Sequence, residues 1–410
     1  MSHEGAVRSH RPLGAPGVTS IVAICTVAVG LGATLGFVPG YVATQLQADF
    51  DISRARVGLL ISVFFGATGL GSILGGRLTD RLGARRVVAA DLTLVAACSA
   101  TGAWADSYAV LLVMSVISGA GYAWANAGTN LVIARHIPAR RRTVAMSVKT
   151  AGVPGMAGLA AALATPAASR WSWHAVWWSI ALVSLLAAVV AWTMLDDDRP
   201  AAGVLASNSP LPRGFWWFPV AAFLLVGGSQ PFFSWLVPYL EEGLELSAGS
   251  AGAIASVATG VGLIHLVVNG VVDDRRGPRH RVVRIAVFAG VAAAGGCAVA
   301  SGLKLGPAPV AVGAAVGLAA QLAAIGTMHA ALVDRAPRAV ARATGVTMTG
   351  YYLGALVSPF GFGALVDATG SYGWAWLAMS AALVASVPAW LMCSRVPVVA
   401  PVRQRSPRDL

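Results

Sequence analysis

The sequence predicts an all-α membrane protein in which twelve transmembrane helices form two pseudo-symmetric six-helix bundles. Three observations predict this class: few charged residues, apolar runs of membrane-spanning length, and a repeat that relates the two halves of the chain. Of the 410 residues, 57% are hydrophobic and 11% are charged. Soluble domains carry about 25% charged residues, so this chain lacks the polar surface that water requires. Its outer solvent is therefore predicted to be lipid.

Apolar runs of membrane-spanning length recur along the whole chain. A helix needs about 20 mostly apolar residues to cross the bilayer core, because lipid cannot satisfy exposed backbone groups. The first run lacks a small-residue cleavage pattern and is too long for a signal peptide, so we expect it to be retained. The twelve predicted spans are residues 18–43, 57–78, 87–105, 108–134, 144–167, 174–195, 215–240, 250–272, 283–303, 308–333, 343–366 and 374–394.

Arginines concentrate in every second loop, whereas the opposite loops carry most of the acidic residues. Short loops rich in Lys and Arg stay in the cytoplasm, so both termini are predicted to be cytoplasmic in a multi-pass protein of the cytoplasmic membrane. The net charge of +12 follows from these loops, and no nucleic acid is expected as a partner. The arginine clusters lie within residues 77–86, 135–142, 275–281 and 335–342.

The two halves of the chain resemble each other. Ser53, Gly58 and Gly83 recur 194 residues later, and Val38-Pro39 recurs as Val-Pro at 237–238. Parallel duplicated halves with a substrate site between them are a known transporter plan. The counterparts at the constant offset are Ser247, Gly252 and Gly277.

A polar stretch rich in Asp, Pro and Ser separates the two halves. We therefore divide the chain into an N-terminal six-helix bundle (1–195), a cytoplasmic linker (196–214) and a C-terminal six-helix bundle (215–410). We expect the protein to be a monomer whose partners are the lipid bilayer and a small-molecule substrate.

Residues 76–86, Gly-Arg-Leu-Thr-Asp-Arg-Leu-Gly-Ala-Arg-Arg, resemble the signature between spans two and three of the major facilitator superfamily. Residues 270–279 resemble a weaker second copy between spans eight and nine. With twelve spans and a central linker, the resemblance covers nearly the whole chain. It implies a secondary transporter whose two halves rock about a central site.

The signature also suggests a gate. Glycine permits close helix contact and a tight turn, and Asp80 would be costly in lipid unless it were paired. The resemblance implies that this carboxylate caps the start of span eleven and pairs with arginine, which latches the cytoplasmic side. The alternative is that the arginines only fix the topology. The predicted gating residues are Gly76, Asp80, Arg81, Gly83, Arg85, Asp274 and Arg275.

Lys149 is the most unusual polar residue in the predicted spans. It is one of two lysines in the chain and lies six residues, about 9 Å, into span five. Its counterpart in the second half is Met348, so the duplicated fold does not require a cation there. A cation inside a membrane suggests a functional site, although a lysine can also extend its side chain to the interface. The following Pro154 predicts a weakened helix.

Other polar and aromatic residues are candidates for the same cavity. His265 and Asn269 are four residues apart and share a helix face, where they either contact substrate or hydrogen-bond a neighbouring helix. His329 in span ten is a further candidate. By resemblance, spans one, four and seven line the cavity. The substrate-binding candidates are Lys149, His265, Asn269, Gln230, Asn126, Tyr41, Phe37 and Trp235, with Asn130 beside Asn126.

These residues favour transport of a small organic or inorganic anion, driven by a co-transported proton or by exchange. Asp91 lies one turn inside span three, and the lack of acids at mid-membrane depth weakens a mechanism with a proton-carrying carboxylate. The alternative is an exporter of amphipathic metabolites or antibiotics, of the drug/proton antiporter type. No nucleotide loop, metal spacing or catalytic pair is evident, so no cofactor, metal or enzymatic activity is expected.

Overall fold

The computed structural model describes residues 17–196 and 210–398, and every regular element in these ranges is a helix. Twelve helices form the main framework. They are α1 (Val18–Gly32), α2 (Arg54–Leu82), α3 (Ala84–Ala103), α4 (Tyr108–His136), α5 (Ala139–Arg170), α6 (Trp173–Met194), α7 (Trp217–Ser229), α8 (Ala248–Arg276), α9 (Arg281–Ala300), α10 (Pro307–Arg335), α11 (Val340–Thr369) and α12 (Tyr372–Cys393).

These helices are suited to a bilayer. Within the described ranges, eleven are long and apolar enough to cross a membrane. A twelfth crossing results if Trp217–Ser234 and Leu236–Gly243, which are bent by 52°, form one broken span. The prediction of an all-α, multi-pass membrane protein is confirmed. We call the helix ends near the arginine-rich loops the basic face and the opposite ends the acidic face.

Spans one and seven are both interrupted toward their acidic ends. A 3-10 turn (Thr34–Gly36) follows α1, and short helices over Val38–Tyr41 and Ala43–Phe50 complete the first span. The second break, after α7, comprises Pro231–Ser234, Leu236–Pro238 and a π-helical turn at Tyr239–Gly243. A repeated Val-Pro pair stands in each break, and proline has no N–H to continue a helix.

Pro154 does not break its helix. α5 runs without interruption from Ala139 to Arg170, so the predicted weakening of the helix there stays a prediction. α5 also begins earlier than the predicted span, so Lys149 lies ten residues, about 15 Å, from its basic end. Neighbouring helices in a bundle can compensate for the hydrogen bond that proline removes.

The packing repeats between the halves. α4 packs against α2 and α3, α10 packs against α8 and α9, and the pair α3–α6 matches α9–α12. This agreement supports the division into two bundles, which stays a proposal. Residues 197–209, most of the predicted linker, lie outside the described part of the chain.

Two helix pairs join the halves, α2 with α11 and α5 with α8. Both depend on glycine. Gly58 of α2 lies directly against the carbonyl oxygen of Pro359, and Gly252 of α8 lies against that of Ala161. A side chain at either position would collide with backbone, which cannot move aside as a side chain can. These contacts lie in the half of the bundle nearer the acidic face.

Candidate functional site

Lys149 lies at the centre of a polar cluster in the N-terminal half. Its residue is 3% exposed, and its ammonium donates to Asn126 Oδ1 at 2.5 Å and to Asn130 Oδ1 at 2.9 Å. Asn126 and Asn130 lie one turn apart on α4, so their amides reach the same point on α5. Among the described residues, no carboxylate forms an ion pair with Lys149. The cation is therefore held by neutral dipoles.

The second half contributes His329 to this region. His329 lies on α10 and interacts electrostatically with Lys149, as does Cys25 of α1. Its ring is accessible to water yet surrounded by protein, which is typical of a cavity wall. Its Nδ1 bonds the carbonyl of Ile325, which leaves Nε2 for a ligand. Asn130 is also exposed, so the Lys149 cluster can be approached by a solute.

His265 and Asn269 belong to a different cluster. The His265 Nδ1 bonds the Ala319 carbonyl at 2.9 Å, and Asn269 donates to Thr327 Oγ1 at 3.0 Å. Both residues line a cleft of about 300 Å³ between α8 and α9. Their described hydrogen bonds stay within the C-terminal half, and none reaches Lys149. The structure therefore does not bring them together with the predicted cation.

The remaining predicted site residues lie at the two helix breaks. Phe37 contacts Phe233 across the halves, with ring centroids 5.6 Å apart. Gln230 is 3% exposed, and its Nε2 has no hydrogen-bond partner among the described residues. Tyr41 is equally buried, and Trp235 donates to the Pro359 carbonyl at 2.9 Å and stacks on Phe362, so the Trp235 indole N–H is already used within the C-terminal half.

The basic face of the C-terminal half has a charged network centred on Asp273. This buried carboxylate accepts from Arg281 Nε at 2.6 Å and also pairs with Arg284. Arg281 reaches Asp334 of α10 at 2.7 Å, so the network joins α8, α9 and α10. The predicted gating residues Asp274 and Arg275 are exposed instead, and Asp274 makes only a 3.4 Å contact with Arg281. Asp273, which sequence analysis missed, occupies the buried position.

The N-terminal copy of the signature is described only in part. Gly83 ends α2 with φ of +85°, as a tight turn requires, and Gly277 repeats this with φ of +77°. Arg81 is exposed, and the Arg85 guanidinium lies 4.8 Å from the ring centre of Trp192. The surroundings of Gly76 and the side chain of Asp80 lie outside what the structure describes, so the predicted latch stays a prediction.

On the acidic face, ionic contacts cross between the halves. Arg54 of α2 pairs with Glu242 at 2.5 Å, and Gln47 donates to the same carboxylate at 2.8 Å. Asp367 of α11 accepts from the backbone N–H groups of Arg54 and Ala55 at 3.2 and 2.8 Å, and so caps the start of α2. These contacts close the acidic face in this conformation.

Apolar helices of membrane-spanning length, packed around a buried polar cluster, define a multi-pass membrane protein. The family model of the Major Facilitator Superfamily matches residues 22–359. The chain belongs to this superfamily. The sequence resemblance is thereby confirmed.

Several curated relatives share this sequence at low identity. The chain is 30% identical over 345 residues to a probable nitrate/nitrite transporter, NarK2, of Mycobacterium tuberculosis, covering 80% of this chain and 84% of the relative. It is 27% identical to a gentisate transporter of Corynebacterium glutamicum (62% and 61%) and 25% identical to a hexuronate transporter of Bacillus subtilis (57% and 58%). The chain thus spans about three fifths of the length of these last two relatives.

Solved structures share the fold. A bacterial homologue of the human lysosomal transporter Spinster, in an inward-facing and occupied conformation, matches with a TM-score of 0.79 at 16% identity, covering 94% of this chain and 99% of that one. The xylose transporter XylE from E. coli matches with a TM-score of 0.76 at 14% identity, covering 95% and 98%. At this identity the likeness shows the fold alone.

Proposed function

We propose that this protein transports a small anion by alternating access and binds it at Lys149. The observation that carries the proposal is the ammonium of Lys149, which is buried inside the membrane-embedded bundle with two amide oxygens as its partners. A buried cation is costly unless an opposite charge compensates it. The described residues supply none, so an anionic solute would complete the pair.

The surroundings of Lys149 suit an anion with oxygen atoms. Asn126 and Asn130 turn their carbonyl oxygens to the ammonium, which leaves their NH₂ groups as donors. His329 offers a ring nitrogen from the opposite half. A carboxylate or an oxyanion could therefore contact Lys149 and accept hydrogen bonds from the two amides. Because the His329 Nδ1 already donates to the Ile325 carbonyl, Nε2 would donate to the solute only when the ring is protonated. Alternating access requires that solute binding be coupled to movement of the two halves. Contacts from both halves to one solute would provide that coupling.

The names of the relatives support an anion. Nitrate, nitrite, gentisate and hexuronate are all anions at neutral pH, and a 3-(3-hydroxy-phenyl)propionate transporter of Escherichia coli, 26% identical over 249 residues, is named for another. These solutes differ in size and share a negative charge. A site built around one uncompensated cation fits that common property.

The loop charges support an orientation for the proposed cycle. We place the basic face in the cytoplasm and the protein in the cytoplasmic membrane as a monomer, because arginine-rich loops are retained on that side. The acidic face is then external, and its closed contacts support our inference of an inward-facing conformation. The solute would leave or enter the Lys149 cluster from the cytoplasm in this state.

The test is uptake of nitrate and of an aromatic carboxylate into proteoliposomes. Lys149→Ala should lose uptake of the transported anion by at least about tenfold, since one charge pair at close range is worth more than the 1.4 kcal/mol that a tenfold change requires. Lys304→Ala is the matched control, because Lys304 is the other lysine of the chain and is exposed. Size-exclusion profiles and melting temperatures of the purified variants establish that both are folded.

Two results would overturn the proposal. If Lys149→Ala leaves both the uptake rate and the affinity unchanged, Lys149 does not belong to the anion site. Failure of the wild-type protein to transport any anion, together with drug resistance on overexpression, would favour the exporter of amphipathic compounds instead.

A further inference from the structure

Asp91 of α3 is a buried acid that the proposed anion site does not use. The residue is completely buried, and neither of its carboxyl oxygens has a hydrogen-bond partner among the described residues. It lies seven residues, about 10 Å, from the basic end of α3, well inside the bundle. A buried polar group without a partner is rare and requires an explanation.

Two glycines make room for the Asp91 carboxyl group. A Cβ atom on Gly32 of α1 would lie 2.9 Å from Oδ2, and one on Gly121 of α4 would lie 3.0 Å from Oδ1. The titratable side chains that interact electrostatically with Asp91 are Cys98 of α3 and Tyr122 of α4, and α1 presents Gly32. No basic side chain of the described residues pairs with it.

This environment favours the neutral acid in this conformation. An ionised carboxylate without a partner in a lipid-embedded bundle costs several kcal/mol, and binding a proton removes that cost. The fold itself does not require an acid at this position. The residue 194 positions later, at the repeat's constant offset, is Ile285, which is also completely buried. An apolar side chain therefore fits the same place in the duplicated half.

Asp91 lies where the bundle is able to move. Gly32 is the last residue of α1, and the break of span one begins immediately after it. Tyr122, which packs beside Gly32, interacts with Tyr351 and Tyr352 of α11 in the opposite half. Rocking of the two halves would change the packing of both neighbours, and could open the carboxyl group to water.

We propose that Asp91 is a proton-binding site that couples transport to the proton gradient. It takes up a proton from the external side, carries it while buried, as in this conformation, and releases it to the cytoplasm when motion at the break of span one admits water from the basic face. The inference rests on the proposed function, since it makes the transported anion a co-substrate of the proton. It assigns the coupling to a residue separate from Lys149.

The test compares wild type and Asp91→Asn in proteoliposomes loaded with the transported anion. Asparagine resembles the protonated acid in shape and cannot release a proton. Asp91→Asn should keep anion exchange at equal pH within about twofold, and lose the accumulation that an inward proton gradient drives in the wild type. Asp106→Asn, at an exposed loop acid, should keep both activities.

A second measurement detects the proton without a substrate. The infrared spectrum of the wild-type protein should contain a carboxylic acid C=O band that is absent in Asp91→Asn and still present in Asp106→Asn. Asp91→Ile, which copies the second half, should also remove the band while the protein stays folded. If the band is the same in all variants, Asp91 does not hold the proton.

The outcomes separate the two proposals. A wild-type protein that transports no anion contradicts the proposed function. Anion transport that remains driven by the proton gradient in Asp91→Asn contradicts this inference and leaves the anion site intact. Loss of both exchange and accumulation in a folded Asp91→Asn variant would also overturn it, because it would assign Asp91 to anion binding.

Discussion

The two adjacent acids at the end of α8 differ sharply in their surroundings. Asp273 is 4% exposed and is bonded by Arg281 and Arg284, whereas the Asp274 side chain is 79% exposed. Removing one partner of a buried ion pair leaves the other charge uncompensated, which costs about 3–5 kcal/mol. An exposed ion pair contributes about 0–1 kcal/mol.

We therefore expect Asp273→Asn to lower the melting temperature of the purified protein by several degrees. Asp274→Asn is the adjacent control and should leave it nearly unchanged. Equal melting temperatures for the two variants would show that the network around Asp273 contributes little to the fold.

Single residues of the candidate site were easier to predict from the sequence than their partners. Lys149 could be found because a lysine in an apolar run is rare and costly. The spacing of His265 and Asn269 correctly placed both on one face of a helix. Helical periodicity does not determine which neighbour that face meets, and here it meets α9 and α10. Asp91 was noticed, but its lack of any partner depends on how α1, α3 and α4 pack.

At the scale of helices, close contact between α5 and α8 requires glycine at position 252. Gly252 lies against the carbonyl oxygen of Ala161, whereas a Cβ atom on Gly260 of the same helix would meet nothing within 4 Å. A valine at position 252 should force the two helices apart near the acidic face and slow transport about tenfold or more, since overpacking costs about 1–3 kcal/mol.

The measurement is the distance between spin labels at the acidic ends of α5 and α8. It should lengthen in Gly252→Val and stay the same in the control variant Gly260→Ala. If Gly252→Val leaves both the distance and the transport rate unchanged, α5 and α8 do not need this contact.

The helices themselves were predictable, since lipid forces a continuous apolar run for each crossing. The breaks in these helices were harder to predict from the sequence. Proline lies in span five and also in spans one and seven, yet only the last two break. A Val-Pro pair alone is not a signal of a break, since Val153-Pro154 and Val387-Pro388 lie in unbroken helices. The pairs at 38–39 and 237–238 differ in that they recur at corresponding positions of the two halves.

At the scale of the whole molecule, the described contacts hold the halves together on the acidic face. The Asp367 carboxylate of one half caps α2 of the other, and Arg54 of α2 pairs with Glu242. A carboxylate at a helix start is stabilised by free N–H groups and by the helix dipole, and a cap contributes about 0.5–2 kcal/mol. That energy is enough to shift a balance between two conformations by about 2- to 30-fold.

Asp367→Asn should therefore favour the conformation that is open at the acidic face. Asparagine keeps the size of the side chain but accepts only weakly at one oxygen and loses the charge that favours the helix start.

Ser234, which lies against Gly40 between the halves and is 1% exposed, provides the reporter position. In a background with the native cysteines replaced, a cysteine at position 234 should react faster with a membrane-impermeant maleimide when Asp367 is changed. Asp106→Asn lies on the same face without a described contact to the other half, and should leave that rate unaltered. Equal labelling rates in all three proteins would mean that the acidic face is closed by apolar packing rather than by the cap of α2.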